Sequence, residues 1–177
     1  MIYVLLADGF EDIEALESVD ILRRAEIDVK TVGVAGKTVT SSHSVTVIAD
    51  MEIGEVDTGS MDMLVLPGGP GYTNLESSQN AQELITYASE NNIYIAAICA
   101  APSIIGKRGL LSGKKYTCFP GYEKFITGGI YSGEKAVWDG HFLTGKGAGA
   151  ASDFAFKIVE IFKGKELAEK IKNQMQY

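Results

Sequence analysis

Cysteine is scarce in this 177-residue chain, and Cys99 and Cys118 are the only two. Two thiols make no disulfide framework. A chain of this length buries about 70% of its unfolded surface and needs no covalent or metal staple to fold. Free thiols make the cytoplasm the default location. Basic residues are also in the minority: 16 Lys and Arg against 23 Asp and Glu leave a formal net charge of −7. A nucleic-acid partner is not expected, because phosphate contacts need a basic face. No apolar run approaches the roughly eighteen residues of a membrane span. Met1–Ala7 is apolar, but no basic stretch precedes it and Asp8 ends it, so it reads as a first strand and not as a signal peptide. His43 and His141 are the only histidines. With no cysteine near either in sequence they make no zinc pattern, and no metal or other cofactor is expected.

What is present is an ordinary globular composition, 46% hydrophobic and 22% charged, consistent with one domain over residues 1–177. Ile2–Ala7, Met63–Leu66 and Ile93–Ile98 are apolar throughout, as strands buried on both faces would be. Asp28–Val34 is β-rich, and Val45–Ala49 is a short strand paired with the segment around Lys37–Ser41. Helical spacing marks Asp12 to about Ala25, the stretch around Ala81–Ala88, Ser103–Leu111, and the region of Phe154–Phe162. A last helix follows the break at Gly164. Tyr116–Cys118 reads as a strand and Tyr122–Phe125 as one helical turn. Ala136–Trp138 and Phe142–Thr144 flank Asp139-Gly140, the signature of a β-hairpin. Strands alternating with helices imply an α/β fold, a doubly wound parallel sheet sandwiched by helices, with a small β-hairpin. In such folds ligands bind beyond the carboxyl ends of the strands. Asp8–Glu14, Pro67–Gly71 and Cys99–Pro102 all lie at such ends, so these three segments are expected to meet.

Cys99 directly follows a buried strand and precedes a helix, and such a turn lifts a nucleophile to the top edge of the sheet. A helix N-terminus would favour its thiolate. A buried structural cysteine fits the same position. Gly69 and Ala100 can offer backbone N–H groups as an oxyanion pocket beside it, although a plain strand-exit turn also explains the glycines. Glu14 sits among apolar neighbours and can be carried inward, where desolvation raises its pKa and makes it a proton donor. Glu11 and Asp12 read as wet helix-start acids. His43 lies in the polar loop Ser41–Ser44, within conceivable reach of a site, and His141 reads as a wet turn residue. Gly145–Gly149 lacks the order of a nucleotide-binding loop. Cys118 reads as a core thiol, with a redox pair to Cys99 as the alternative.

Four stretches in this order carry a resemblance along nearly the whole chain: Asp8–Glu14, Leu66–Gly69, Ala96–Pro102 and Thr144–Gly149. Together they resemble the DJ-one/ThiJ/PfpI superfamily, in its DJ-one-like branch. The resemblance implies a flavodoxin-like fold and a homodimer. It also implies an oxidation-sensitive Cys99 at the elbow, hydrogen-bonded by Glu14, in a pocket lined by Gly68, Gly69 and Ala100. Two positions depart from relatives. Ala100 stands where protease-like members carry a histidine, which disfavours a thiol hydrolase or amidase. Phe119 stands where glyoxalase-active members often carry one. His43 falls where some relatives have an arginine. The expected function is an oxidative- or carbonyl-stress protein that meets a small aldehyde or oxidant. As an enzyme it would be a slow glutathione-independent glyoxalase or deglycase. The alternative is a non-enzymatic redox sensor or chaperone-like dimer acting through Cys99 oxidation.

Overall fold

A computed structural model describes residues 1–177. Strand β1 (Ile2–Leu6) leads through a π-helical turn (Ile13–Glu17) into α1 (Ser18–Arg24). Strand β2 (Val29–Gly33) follows, then the antiparallel pair β3 (Thr38–Thr40) and β4 (Thr46–Ile48), then β5 (Met51–Glu52) and β6 (Met63–Leu66). Helices α2 (Tyr72–Ser77) and α3 (Gln79–Glu90) precede β7 (Tyr94–Ile98) and α4 (Pro102–Lys107). The short strands β8 (Lys115–Tyr116) and β9 (Ile130–Tyr131) pair with each other. The hairpin β10 (Ala136–Asp139) and β11 (Phe142–Gly145) leads into α5 (Ala151–Lys163) and α6 (Lys165–Gln174).

The central sheet runs β10-β11-β7-β6-β1-β2-β5 and is parallel except for β10 at one edge. Side chains alternate across it. Ile2, Val4 and Leu6 of β1 join Ala96 and Ile98 of β7 in a core under α1, α5 and α6. Tyr3 and Leu5 join Ile95 and Ala97 in a second core under α3 and α4. That two-residue period, buried on both faces, is why these strands read as unbroken apolar runs. The doubly wound α/β sandwich expected from the sequence is therefore the fold found. No helix is long and apolar enough to cross a membrane.

Strand order reverses between β1 and β6, since the chain builds outward to β2 on one side and resumes on the other. At such a switch point the two connections leave in opposite directions and open a crevice. The loops after β1 and β6 border it, and the loop after β7 is next to them.

Some elements differ from the sequence reading. Helix α2 has one fully buried apolar residue, Leu75, and so lacks the periodicity that would reveal it. The helix expected over Ser103–Leu111 stops at Lys107, and Gly109 then adopts φ +74°, a left-handed conformation that terminates helices. The two-residue strands β5 and β9 are too short to register as patterns.

Phe154 in α5 is fully buried, and its ring fills the space over Gly145, where a Cβ would come within 2.9 Å of it. Phe154→Ala is expected to lower unfolding stability by about 3–5 kcal/mol, read as a shift of the urea midpoint at fixed protein concentration. A loss below about 1 kcal/mol would show that the core collapses freely around the site.

Candidate active site

The loop after β1 is sewn to the loop after β6. Gly71 N–H donates to Gly9 O at 2.8 Å, and Glu11 N–H donates to Gly68 O at 3.1 Å. The chain then enters its helix through a π turn, a feature frequent at functional sites because it re-aims side chains. Glu11 Oε2 caps that turn by accepting from Glu14 N–H at 2.8 Å, and the buried Ser18 hydroxyl donates to Glu14 O at 2.7 Å. The result turns Glu14 fully inward while Ile13 stays half exposed. Glu14 Oε2 accepts the Gly68 amide at 2.8 Å, and Oε1 is buried with no conventional partner. Burial pushes the Glu14 carboxyl up from 4.5 to about 7, against the opposing pull of hydrogen bonds from Cys99 and Gly68.

Cys99 has φ +66°, left-handed backbone that a side chain adopts at a cost of roughly 1–2 kcal/mol. Such strain persists only where surroundings fix it. Here they do: Cys99 N–H donates to Gly145 O at 2.9 Å, and Phe119 N–H donates to Cys99 O at 2.8 Å. The elbow brings the thiol against the Glu14 carboxyl, and the amides of Gly69 and Ala100 both donate toward the sulfur. Gly68 closes the arrangement. A Cβ there would lie 2.6 Å from Cys99 Cβ and 2.8 Å from Glu14 Oε2, so only glycine lets the two side chains meet.

The thiol differs from the expectation of helix-terminus activation. Burial pushes it up, the negative charge of Glu14 adds to this, and its pKa reaches about 12 despite the two amides. Helix α4 has only six residues and starts beyond Ala101. Thiolate character at Cys99 therefore depends on where the Glu14 proton resides.

A cavity of about 340 Å³ opens over the thiol, lined by Gly69, Pro70, Cys99, Ala100, Phe119 and Tyr122. The structure thus brings together Cys99, Glu14, Gly68, Gly69 and Ala100. His43 is not among the lining residues. It is largely exposed, and its Nδ1 pairs with Asp12 Oδ2 at 2.7 Å, a bond that holds the imidazole above its usual pKa. The His141 ring lies tilted against Tyr94, with centroids 5.6 Å apart. Cys118 is fully buried in the core under α3 and α4, whereas Cys99 packs against the opposite core, so the two thiols face different sides of the sheet. Burial pushes Cys118 up to about 12 as well. Sequence reasoning missed Tyr122, which lines the cavity and packs edge-on against Tyr72 with ring centroids 5.4 Å apart. Its only signal was its place just after the Pro120-Gly121 break.

Glu14 makes stability depend on pH. Its native pKa, about 7, lies above the 4.5 of an unperturbed carboxyl, so the native state holds the proton more tightly. The stabilisation is complete below about pH 4.5 and is lost as pH rises through 7, a change of about 3 kcal/mol. Glu14→Gln cannot ionise and should flatten the unfolding free energy across that window. A slope that is the same in both proteins would place the titration elsewhere.

The DJ-1/PfpI family model matches residues 1–161. Protein dj-1beta of Drosophila melanogaster is 36% identical over 172 residues, covering 95% of this chain and 92% of that protein. A Caenorhabditis elegans protein named glutathione-independent glyoxalase DJR-1.2 is 29% identical over 165 residues, covering 92% of this chain and 88% of its own. The structure of Toxoplasma gondii DJ-1 in oxidised form superposes with a TM-score of 0.94 at 31% identity, over 99% of this chain and 97% of that one. With a family model spanning most of its length and a relative at this identity, the chain belongs to the DJ-1/PfpI family.

Proposed function

We propose that this protein is a carbonyl- and oxidative-stress protein whose Cys99 turns over small 2-oxoaldehydes without glutathione. The observation that carries the reading is a buried carboxyl with a pKa near neutrality set against a thiol that two backbone amides face. When Glu14 takes the thiol proton, the amides of Gly69 and Ala100 receive the thiolate charge. The sulfur adds to the aldehyde carbon of methylglyoxal, and the aldehyde oxygen takes up a proton to give a hemithioacetal. Glu14 then removes the hydrogen of that carbon as a proton, and the neighbouring carbonyl carbon gains one, which leaves the thioester of lactate. Water cleaves the thioester, so one water is consumed, lactate leaves and the thiol returns. The relative named a glutathione-independent glyoxalase supports this reaction class.

A specific observation also favours a sensor reading. The amides that face the sulfur suit sulfinate oxygens, and protonated Glu14 is placed to donate to one of them. A hydroperoxide would supply the oxygen, each molecule leaving as water or alcohol. A relative's structure is of an oxidised form. In either role the protein is proposed to be a homodimer and to work in the cytoplasm. Exposed Ile13, Val45 and Ile48, on and beside the β3–β4 hairpin, supply apolar surface for the dimer. A light-scattering mass near 19.0 kDa at working concentration would rule it out.

Lactate formation from methylglyoxal is expected to be slow. Ala100 and Phe119 leave no histidine to share the proton transfers, and such help is worth roughly 10²–10⁴ in rate. Cys99→Ala should abolish turnover, Glu14→Gln should lower it about a hundredfold, and His43→Ala should leave it near wild type. Wild-type protein that forms no lactate, yet gains two oxygens at Cys99 under mild peroxide, would favour the sensor.

Alkylation supplies a separate measure of the pair. The Cys99 rate should rise through about pH 7 as the shared proton is lost, then level off, while Cys118 reacts far more slowly. In Glu14→Gln the inflection near 7 should vanish. If it persists, Glu14 does not govern the thiol.

A further inference from the structure

We infer that the carbonyl compounds this chain prefers carry an anionic end, carboxylate or phosphate, and that Lys146 receives it. The carbonyl half of this inference rests on the chemistry proposed for Cys99, whereas the anion half has its own geometry. Beside the cavity over the thiol lies a second one of about 400 Å³, lined by Lys146, Lys135, Pro120 and the turn Gly147–Ala150. Phe119 belongs to the walls of both cavities. Its ring is half exposed and rests against Gly147, where a Cβ would touch it at 3.4 Å. One aromatic side chain is therefore common to the two spaces. Methylglyoxal has five non-hydrogen atoms and needs only the first.

The sheet sets the Lys146 backbone next to the Cys99 elbow. Gly145, the residue before it, accepts the backbone hydrogen bond of Cys99. The Lys146 ammonium is partly buried, and its one acceptor is Gly133 O at 3.3 Å. Lys135 at the same cavity differs, because Asp153 holds it at 3.0 Å. Lys146 has no carboxylate partner. A partly desolvated ammonium without a counter-ion is a favourable place for an anion. It stands out in a chain of net charge −7, whose general field repels anions. No carboxylate lines either cavity. A ligand with its aldehyde over Cys99 and its acid group beyond Phe119 would fill both spaces and pair that charge.

The pair 4,5-dioxopentanoate and 2-oxopentanal tests this, since both are five-carbon 2-oxoaldehydes and only the first is charged. Addition of water through the proposed chemistry converts them to 2-hydroxyglutarate and 2-hydroxypentanoate. Wild-type kcat/KM should favour the anion roughly five- to tenfold. The ratio should fall to about one in Lys146→Met and recover in Lys146→Arg. A second readout needs no turnover: protection of Cys99 from iodoacetamide by 4-oxopentanoate, compared with pentan-2-one. Wild type should be protected by the anion at several-fold lower concentration, and Lys146→Met should show no difference. Turnover of both aldehydes without preference, and without selective protection, overturns the anion site and leaves the glyoxalase reading standing. Selective protection without turnover of either aldehyde does the reverse. Absence of both overturns both, as does a preference that survives Lys146→Met for the anion site.

Discussion

A carboxyl that cannot reach water organises this molecule's loop edge. Glu14 is fully buried with one firm hydrogen bond, from the Gly68 amide, and one oxygen left over. An ionised carboxylate in that position would be costly, so it holds a proton to about pH 7 and depends on a neighbour that can exchange one with it. The neighbour is Cys99. Each group alone would be an ordinary buried defect, a carboxylic acid in one case and an inert thiol in the other. Together they form a pair in which the carboxyl, at about 7, gives up its proton before the thiol, at about 12, and the carboxylate charge then holds the thiol proton on.

The surrounding structure can be understood as what keeps that pair in register. The π turn aims Glu14, Gly68 leaves the space between acid and thiol, and hydrogen bonds from β11 and Phe119 hold the strained Cys99 backbone on both sides. These supports come from four distant parts of the chain. Parallel β1, β6 and β11 deliver three of them beside the carboxyl end of β7 that carries Cys99, and Phe119 reaches in from the segment after β8. Strain at Cys99 is thus balanced by packing elsewhere, in the core that Phe154 fills beneath Gly145.

Where burial follows a period of two or of 3.6, the sequence was readable. The apolar runs of β1, β6 and β7 and the spacing in α3 and α5 corresponded to elements found in place, and the convergence of three strand-end loops followed from them. Cys99 at the elbow and an inward Glu14 are readable from the residues, whereas their pairing comes from the family resemblance. The π turn was not, because it differs from an α-helix by one residue of hydrogen-bond register and not by hydrophobic pattern. Nor was the direction of the Cys99 shift. A helix terminus can be read from sequence, but desolvation and the charge of a residue 85 positions earlier exist only after folding. Lys146 escaped notice for a similar reason. Gly145–Gly149 resembles a nucleotide loop only superficially, and the setting of its lysine lies in the cavity lined by Phe119 and Gly147.

In either proposed role, the pair itself would not choose between aldehyde and oxidant. Any electrophile that reaches the sulfur meets the same thiolate, the same two amides and the same acid. In the proposed reaction, with Ala100 and Phe119 in place of histidines, Glu14 alone would accept the thiol proton and later serve the adduct, which would limit speed more than scope. Selectivity then has to come from the approach. A hydroperoxide is small and neutral and needs only the cavity above Cys99. In the proposed binding mode, a carbonyl compound long enough to pass Phe119 would meet Lys146, the one cation at the cavity wall without a carboxylate partner. On the proposed reading, discrimination between reactants would rest on a wall and a charge outside the reacting pair, where it could change without disturbing the buried proton on which the pair depends.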